Sequence, residues 1–463
     1  MAGVLLVKDA LAIRADGRTR CSILAADGKI VALLAPGDAP AADETLDARG
    51  RPVVPGGIDP HVHLEAGGQR FEEDAATESR AAVTGGITTF LHFLLEQESY
   101  LELYPRFRQG VEQHSLIDVA FHAAIMNEQH LAEIPRYVEE LGIGSLKFFM
   151  AYRGRTAFSK LTGVDDGQLL DGFRAAARYP HVVCMVHCED IDIANREVAR
   201  LQAAGRVDAA AWTASRPAIG ELEALQRAAL LAHEAGTTMY AVHVSVGRAA
   251  ALLAELRARM PRLHAETCNH YLALDNTAVI HPEPEANAAL LKVNPPLRSR
   301  EDSHLLWGGL AAGTISTVGS DHCTRTEAFK GHDLWAAPPG LNGTGMILPV
   351  LLTDGVARGR LSLEQLVQVS SYNAARIFGL YPRKGVIDVG ADADLVVLDL
   401  ERRVTVTPAL LNSVCDYSPY TGYQTRGWPV ATIVAGRVVQ RDGTIVDESG
   451  RGRVLASAAS SPA

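Results

Sequence analysis

The sequence predicts an α/β protein with a parallel sheet or barrel at its centre and a small β domain built from both chain ends. Two textures along the 463 residues carry this expectation. From about residue 55 to about 380, helical patterns of roughly 10–15 residues alternate with short apolar runs. On either side, short strand-like runs are separated by Asp-Gly and other glycine turns. A third observation concerns function. Five times in the central region, an apolar run carries a metal-competent or chargeable residue at or near its end.

The elements follow in order. "GVLLVKDALAIRADG", "CSILAADGKIVALLAPG" and "TLDARGRPVVPG" read as short strands and turns over residues 1–54. Residues 55–380 hold the alternating region. There "GQLLDGFRAAARYP" precedes "HVVCMVHCED", and "GELEALQRAALLAHEAG" precedes "TTMYAVHVS". Helix followed by strand, repeated, demands a parallel sheet with crossover helices. After "SLEQLVQVSSYNAARIFGL" the short strands return in "KGVIDVGADADLVVLDL" and "WPVATIVAGRVVQRDGTIV", over residues 381–445. The last stretch, 446–463, contains "GRGRVLASAASSPA" and is expected to be a flexible tail.

Composition narrows the function classes. Hydrophobic residues make up 47% and charged residues 21%, an ordinary balance for a globular protein with a sizeable core. The formal net charge of -10 and the lack of a Lys/Arg-rich run give no electrostatic case for nucleic acid or an anionic membrane. No apolar run has the length of a membrane span. "MAGVLLVKDALAIRADG" reads as a first strand, not a signal peptide, and Ala2 excludes myristoylation. Cys21, Cys184, Cys188, Cys268, Cys323 and Cys415 are scattered and suggest no disulfide framework, which favours the cytoplasm. Cys184 and Cys188 have no second pair to complete a thiolate metal site.

The candidate site is spread over the chain. His61 and His63 follow "RPVVPGGIDP", and in an extended segment residues two apart point the same way. Lys147 sits in "IGSLKFFMAY", His187 ends "HVVCMVH", His243 ends "TMYAVH", and Asp321 follows "GTISTVGS". In a parallel barrel the C-terminal strand ends meet on one face, where active sites are built. Four imidazoles and a carboxylate suit zinc or a similar divalent ion, with cobalt and manganese also compatible. The chemistry suggested is hydrolysis by bound metal, which lowers the pKa of water to about 7. Lys147 lies in an apolar stretch that favours the neutral amine, and a neutral amine can add carbon dioxide to become a carbamate. On residue physics alone an ordinary ion pair at a strand end is the simpler reading of Lys147.

Together, "GGIDPHVHL", "SLKFFMAYRG", "VHCED", "VHVS", "AETCNHYLAL", "KVNPPLRS", "TVGSDHC" and "NAARIFGLYPRKGVIDVGADADLVVLD" resemble the cyclic amidases of the amidohydrolase superfamily: hydantoinases, dihydropyrimidinases and allantoinases. The resemblance covers nearly the whole chain. It implies a (β/α)8 TIM-like barrel plus a β-sandwich from both ends, and a metal-dependent hydrolase in which a metal-bridging hydroxide attacks a ring carbonyl. His61, His63 and Asp321 would hold the more buried of two divalent ions, zinc in first place. His187 and His243 would hold the second, and carbamylated Lys147 would bridge them. Asp321 would shuttle the proton, and Tyr152 would hydrogen-bond the developing oxyanion. Asn294 would hold the ring amide through its main chain, and Pro339 and Gly340 would line the substrate pocket. His322 and Cys323 would support the aspartate. His92, His122 and His270 match no ligand position and are read as structural. The partner implied is a small cyclic amide or ureide, and the family's tetramers imply a homo-oligomer.

The sequence also departs from the pattern. "LEAGGQRFEED" is shorter than the first loop of typical dihydropyrimidinases and nearer that of allantoinases and dihydroorotases. A dihydroorotase would carry an arginine at Glu65, whose charge would repel an anion. "FMAYRG" and "SDHC" favour the hydantoinase–dihydropyrimidinase branch, although Thr324 replaces its usual proline and "NGTGM" lacks the acidic pair of many dihydropyrimidinases. An allantoinase is therefore the alternative. A non-catalytic scaffold of this fold would have lost metal ligands, and this chain keeps all six. No Gly-x-Ser-x-Gly elbow supports a serine hydrolase.

Overall fold

The computed structural model describes residues 3–152, 161–277, 288–450 and 452–457. Arg153 and Gly154, at the end of "SLKFFMAYRG", and the last residues of the expected tail lie outside the described residues.

A parallel barrel forms the centre. Strands Gly57–His63, Ile87–Leu94, Asp118–Ala124, Ser145–Phe149, Val183–His187, Thr238–Ala241, Leu263–Cys268 and Thr317–Gly319 run parallel, each bonded to the next. The last strand breaks at Ser320–Asp321 and resumes as His322–Cys323, which pairs in parallel with Val62–His63. The sheet thus returns to its first strand and closes. Ile87–Leu94, Asp118–Ala124 and Ser145–Phe149 are buried throughout, so both faces are covered and their sequences read as apolar runs.

Helices fill the outer ring where the periodicity places them. Asp166–Ala176 starts from a capping box in which Asp165 and Gln168 satisfy each other's backbone N–H groups. Ala218–Ala235 turns Ala224, Leu225, Ala228, Ala229 and Ala232 inward at three- and four-residue spacing. It stops at Gly236, whose φ of +73° suits the residue without a Cβ. Among the described residues no helix is long and apolar enough to cross a membrane.

Both chain ends share a second sheet. Leu5–Arg14, Gly17–Ala26 and Lys29–Leu34 come from one end, and Leu395–Thr405, Gln424–Val434 and Arg437–Arg441 from the other. The short strand Pro52–Pro55 stitches them together. Pro52–Val53 pair in parallel with Leu11–Ala12, and Val53–Pro55 pair antiparallel with Leu395–Val397. Leu5, Val7, Ile23, Val53, Leu395 and Ile433 bury one core between them. After Gly56 the same chain becomes the first barrel strand.

The expected tail differs in part from its prediction. Val454 and Leu455 lie parallel to Val119 and Ala120 of the barrel, and Arg453 donates to Asp118 at 2.6 Å and Asp392 at 2.8 Å. A two-residue strand, Arg453, buried Leu455 and hydrogen bonds from Gly452 and Ser457 hold this segment, signals too small to stand out in a polar, small-residue stretch. Arg453 joins a buried ionic cluster. Lys384 donates to Asp118 at 2.6 Å and to Asp394, and lies 3.1 Å from Asp392. Burial disfavours the Lys384 ammonium, but the three carboxylates outweigh it and raise its pKa. The cluster pins the start of a barrel strand to the segment that leads into the second sheet.

Lys384→Met would leave these acids buried without their central cation. We expect a loss of about 3–5 kcal/mol in urea unfolding, the cost of breaking a buried pair. A loss under about 1 kcal/mol would show that Arg453 alone suffices.

Candidate metal centre and substrate cavity

His61 and His63 lie at the C-terminal end of the first barrel strand, and their two-residue spacing turns both rings toward Asp321. His61 Nε2 is 3.2 Å and His63 Nε2 3.1 Å from the same Asp321 oxygen. The His61 ring centre is 5.1 Å from that of His63 and 5.2 Å from that of His243, which is 4.4 Å from that of His187. Lys147, fully buried, sets its Nζ 4.7 Å from the centre of the Phe93 ring. Phe93 in turn lies 4.5 Å from the His61 ring and 4.9 Å from that of His63. The structure therefore brings together all six side chains singled out as ligands.

Their charge states fit a cation site. Burial pushes the His61 and His243 imidazoles well below the ordinary range and lowers His63 and His187 too. The Lys147 charge acts on all four in the same direction. Neutral imidazole is the form that ligates metal. Burial also brings the Lys147 amine down to about 8, against the opposing charges of Asp321 and Glu266. For Asp321, burial is outweighed by the His63 hydrogen bond and the neighbouring positive charges, which hold the carboxyl below its usual value.

The test of fit is what the buried polar atoms lack. His61 Nε2, His63 Nδ1, His243 Nδ1 and Lys147 Nζ make no hydrogen bond. Orphaned buried donors and acceptors are costly, and four in one place call for a charged occupant. The ligand atoms of His61, His63 and Asp321 lie within 4.8 Å of one another. A divalent ion fits this donor set. Among the described residues no cysteine joins such a group, and all six cysteines are free and buried.

Two carboxylates that the sequence reading left unassigned aim the rings. His61 Nδ1 donates to Glu266 at 2.7 Å, which leaves Nε2 as the ligand atom. Glu266 also accepts from the His243 backbone N–H at 3.1 Å and the Tyr240 hydroxyl at 2.9 Å. Burial pushes Glu266 up to about 8 despite these donors, and a nearby divalent ion would draw it back down. Gly319 makes room for this contact: a Cβ there would stand 2.8 Å from the Glu266 carboxyl and 3.2 Å from His61 Cβ. His187 Nε2 donates to Glu189 at 2.7 Å, leaving Nδ1 for an ion, and Arg216 holds the same carboxylate oxygen at 3.2 Å. Glu266 was visible only inside "AETCNHY", and Glu189 as the carboxylate two residues past His187.

The histidines read as structural behave variously. His92 lies 3.2 Å from Val62 O, and His122 lies 3.1 Å from Pro60 O, so both steady the strand that carries His61 and His63. His270 is buried with neither ring nitrogen hydrogen-bonded. His322 lies 2.9 Å from Glu78 and accepts from the Gly343 N–H at 3.1 Å.

A cavity of about 500 Å³ opens beside the cluster. His63, Lys147, Tyr152, His187 and Asp321 line it, with Asn294, Pro339 and Gly340. Three positions of the candidate site carry left-handed backbone: Tyr152 at φ +64°, His243 at +39° and Asp321 at +49°. Such geometry outside glycine costs about 1–3 kcal/mol each and gathers where side chains must be aimed. Asn294 Nδ2 donates to the Tyr152 hydroxyl at 2.9 Å, so the phenol oxygen is an acceptor there and its own proton is left for a ligand. The sequence reading gave Asn294 a main-chain role only; its side chain orients Tyr152. Burial raises the Tyr152 pKa and keeps the hydroxyl protonated. Glu65 forms an ion pair with Arg106 of helix Tyr100–His114. The sequence placed these partners 41 residues apart, out of sight of any local pattern.

Residues 53–439 match the amidohydrolase family. An L-hydantoinase from Paenarthrobacter aurescens is 35% identical, with 97% of each chain covered. A D-hydantoinase from Ralstonia pickettii is 33% identical, covering 97% of this chain and 98% of that one. The crystal structure of a dihydropyrimidinase from Brevibacillus agri superposes with a TM-score of 0.91 at 30% identity, over 99% of this chain and 100% of that one.

Glu266→Gln would keep the shape but weaken the acceptor for His61 Nδ1. We expect divalent-ion affinity to fall about 10- to 100-fold, read by equilibrium dialysis against zinc. An affinity within twofold of the parent would remove Glu266 from this role.

Proposed function

The chain belongs to the amidohydrolase family and is a cyclic amide hydrolase; we propose that it opens a hydantoin or dihydropyrimidine ring with the side-chain cluster at the barrel's C-terminal face. The observation that carries this reading is the meeting of four imidazoles, Asp321 and Lys147, whose Nζ makes no hydrogen bond, with all of them but His61 lining one cavity.

His61, His63 and Asp321 would hold one divalent ion, and His187 and His243 a second, with zinc as the ion proposed. Lys147 would lie between them as a carbamate. Its neutral amine would form an N–C bond to carbon dioxide and release one proton, leaving one negative charge shared by two oxygens. The chemistry such ions supply is an acidified water and a polarised carbonyl. Asp321 takes the proton of the attacking water and returns it to the ring nitrogen as the C–N bond breaks, a base that becomes an acid. Its place in the strand break sets the carboxylate against His61 and His63 and at the cavity surface. Tyr152 donates its free proton to the oxygen on which charge develops, and Asn294 fixes the direction of that proton. Pro339 and Gly340 line the cavity where the ring would rest. The family resemblance extends the proposal to a homo-tetramer, and the six free, scattered cysteines extend it to the cytoplasm.

The zinc-loaded protein should open dihydrouracil or 5-substituted hydantoins, assayed side by side with allantoin by ring-opening absorbance. Turnover of allantoin alone would move the chain to the allantoinase alternative, and turnover of none would refute the proposed substrate class.

The carbamate has its own test. A protonated amine cannot add carbon dioxide, and the Lys147 amine loses its proton near pH 8. Reactivation of stripped protein by zinc should therefore depend on dissolved carbon dioxide. At fixed carbon dioxide its rate should rise about tenfold per pH unit below pH 8 and level off above it. Full reactivation in carbon dioxide-free buffer would rule the carbamate out.

A further inference from the structure

We propose that Arg216, Lys292 and Arg325 form a seat for an anionic group in the substrate cavity, and that the preferred ring carries a carboxylate on its side chain. The proposal rests on the cyclic-amide reading and narrows its substrate class.

The three cations line the same cavity as Tyr152 and Asp321. Trp212 brings two of them together: Lys292 Nζ lies 4.0 Å and Arg216 Cζ 5.0 Å from the centre of its ring system. Gly340 links the third. Its N–H donates to the Lys292 carbonyl at 2.9 Å, and a Cβ built on it would stand 3.2 Å from Arg325 Nη1. Lys292 is 3% exposed and Arg216 8% exposed; burial and the adjacent Arg216 charge bring the Lys292 amine down to about 7, where a bound anion would favour its charged form.

Their hydrogen bonding is incomplete in the way an absent anion would complete. Lys292 Nζ donates to two neutral carbonyls, Leu334 at 2.9 Å and Trp335 at 3.1 Å. Arg216 reaches Glu189 through Nη1, but its buried Nε makes no hydrogen bond. Arg325 gives Nε to the Ala66 carbonyl at 3.1 Å, and its buried Nη1 makes none. Buried guanidinium donors left over at a cavity wall match the fork of a carboxylate. Glu65, whose charge would oppose an acid, is paired with Arg106. The substrate class is a hydantoin with a short acidic side chain. Hydrolysis adds water across the ring C–N bond and yields an N-carbamoyl dicarboxylate.

The zinc-loaded enzyme tests this with hydantoin-5-propionic acid against its uncharged amide. We expect kcat/KM to favour the acid by about tenfold or more, with the preference shrinking as salt rises. Lys292→Met and Arg325→Met should each lower the acid-to-amide ratio about tenfold, and the parent's ratio and salt dependence stand as the test if a variant does not fold. A ratio of one or less, with the amide turned over, overturns the seat and leaves ring opening intact. If neither is opened, the dihydrouracil, uncharged-hydantoin and allantoin assays decide the ring-opening reading, and calorimetric binding decides the seat: tighter binding of the acid supports it and equal binding overturns it.

Discussion

The closure of the barrel governs everything at its open end. His322–Cys323 pairs with Val62–His63, so the last strand and the first are held side by side. Only this pairing places Asp321 about one hydrogen-bond length from His61 and His63, residues some 260 positions earlier. The strand cannot run smoothly through the join. It breaks at Ser320–Asp321, with Asp321 at φ +49°, and the break turns the carboxylate toward the cavity. Ser320 restrains the break from below, donating its backbone N–H to Asp59 at 3.0 Å and its hydroxyl to the same side chain at 2.5 Å.

Around that join, each layer limits the freedom of the one inside it. Glu266 and Glu189 settle which nitrogen of His61 and His187 is free, and Arg216 fixes Glu189 in turn. The absence of a side chain at Gly319 lets Glu266 lie against His61. In the Lys384 cluster, by contrast, a buried charge is answered by opposite charges. The Lys147 amine has no hydrogen-bond partner, which is why burial shifts it toward neutrality. The same polypeptide thus holds one buried lysine charged among carboxylates and another whose amine burial pushes toward neutrality.

Much of this was legible in the chain before folding. The strand-helix alternation gave the barrel, because parallel strands covered on both faces must be apolar and must be joined by crossovers. The same-face pair His61 and His63, and the chargeable ends of later strands, pointed to the cluster. What stayed hidden was long-range or had no periodic signature. Glu65 and Arg106 meet from different elements, Asn294 reaches Tyr152 across 142 positions, and Glu266 looked like any strand residue. The hold on Val454 and Leu455 comes from a barrel strand more than 300 positions earlier, which no local composition announces. The bridging role proposed for Lys147 rests on family resemblance, since residue physics leaves an ion pair as the simpler reading.

The stitched second sheet has a consequence for how the chain is made. Val53 to Pro55 finds one neighbour in Leu11–Ala12 almost at once, but its other neighbour is Leu395–Val397. Asp118 likewise awaits Lys384 and Arg453. During synthesis on the ribosome, the early strands must therefore wait with an unpaired edge and a buried acid for partners translated hundreds of codons later. Completion waits until these later segments emerge, and a nascent chain stalled within the barrel would present exposed strand edges to chaperones or to other copies of itself.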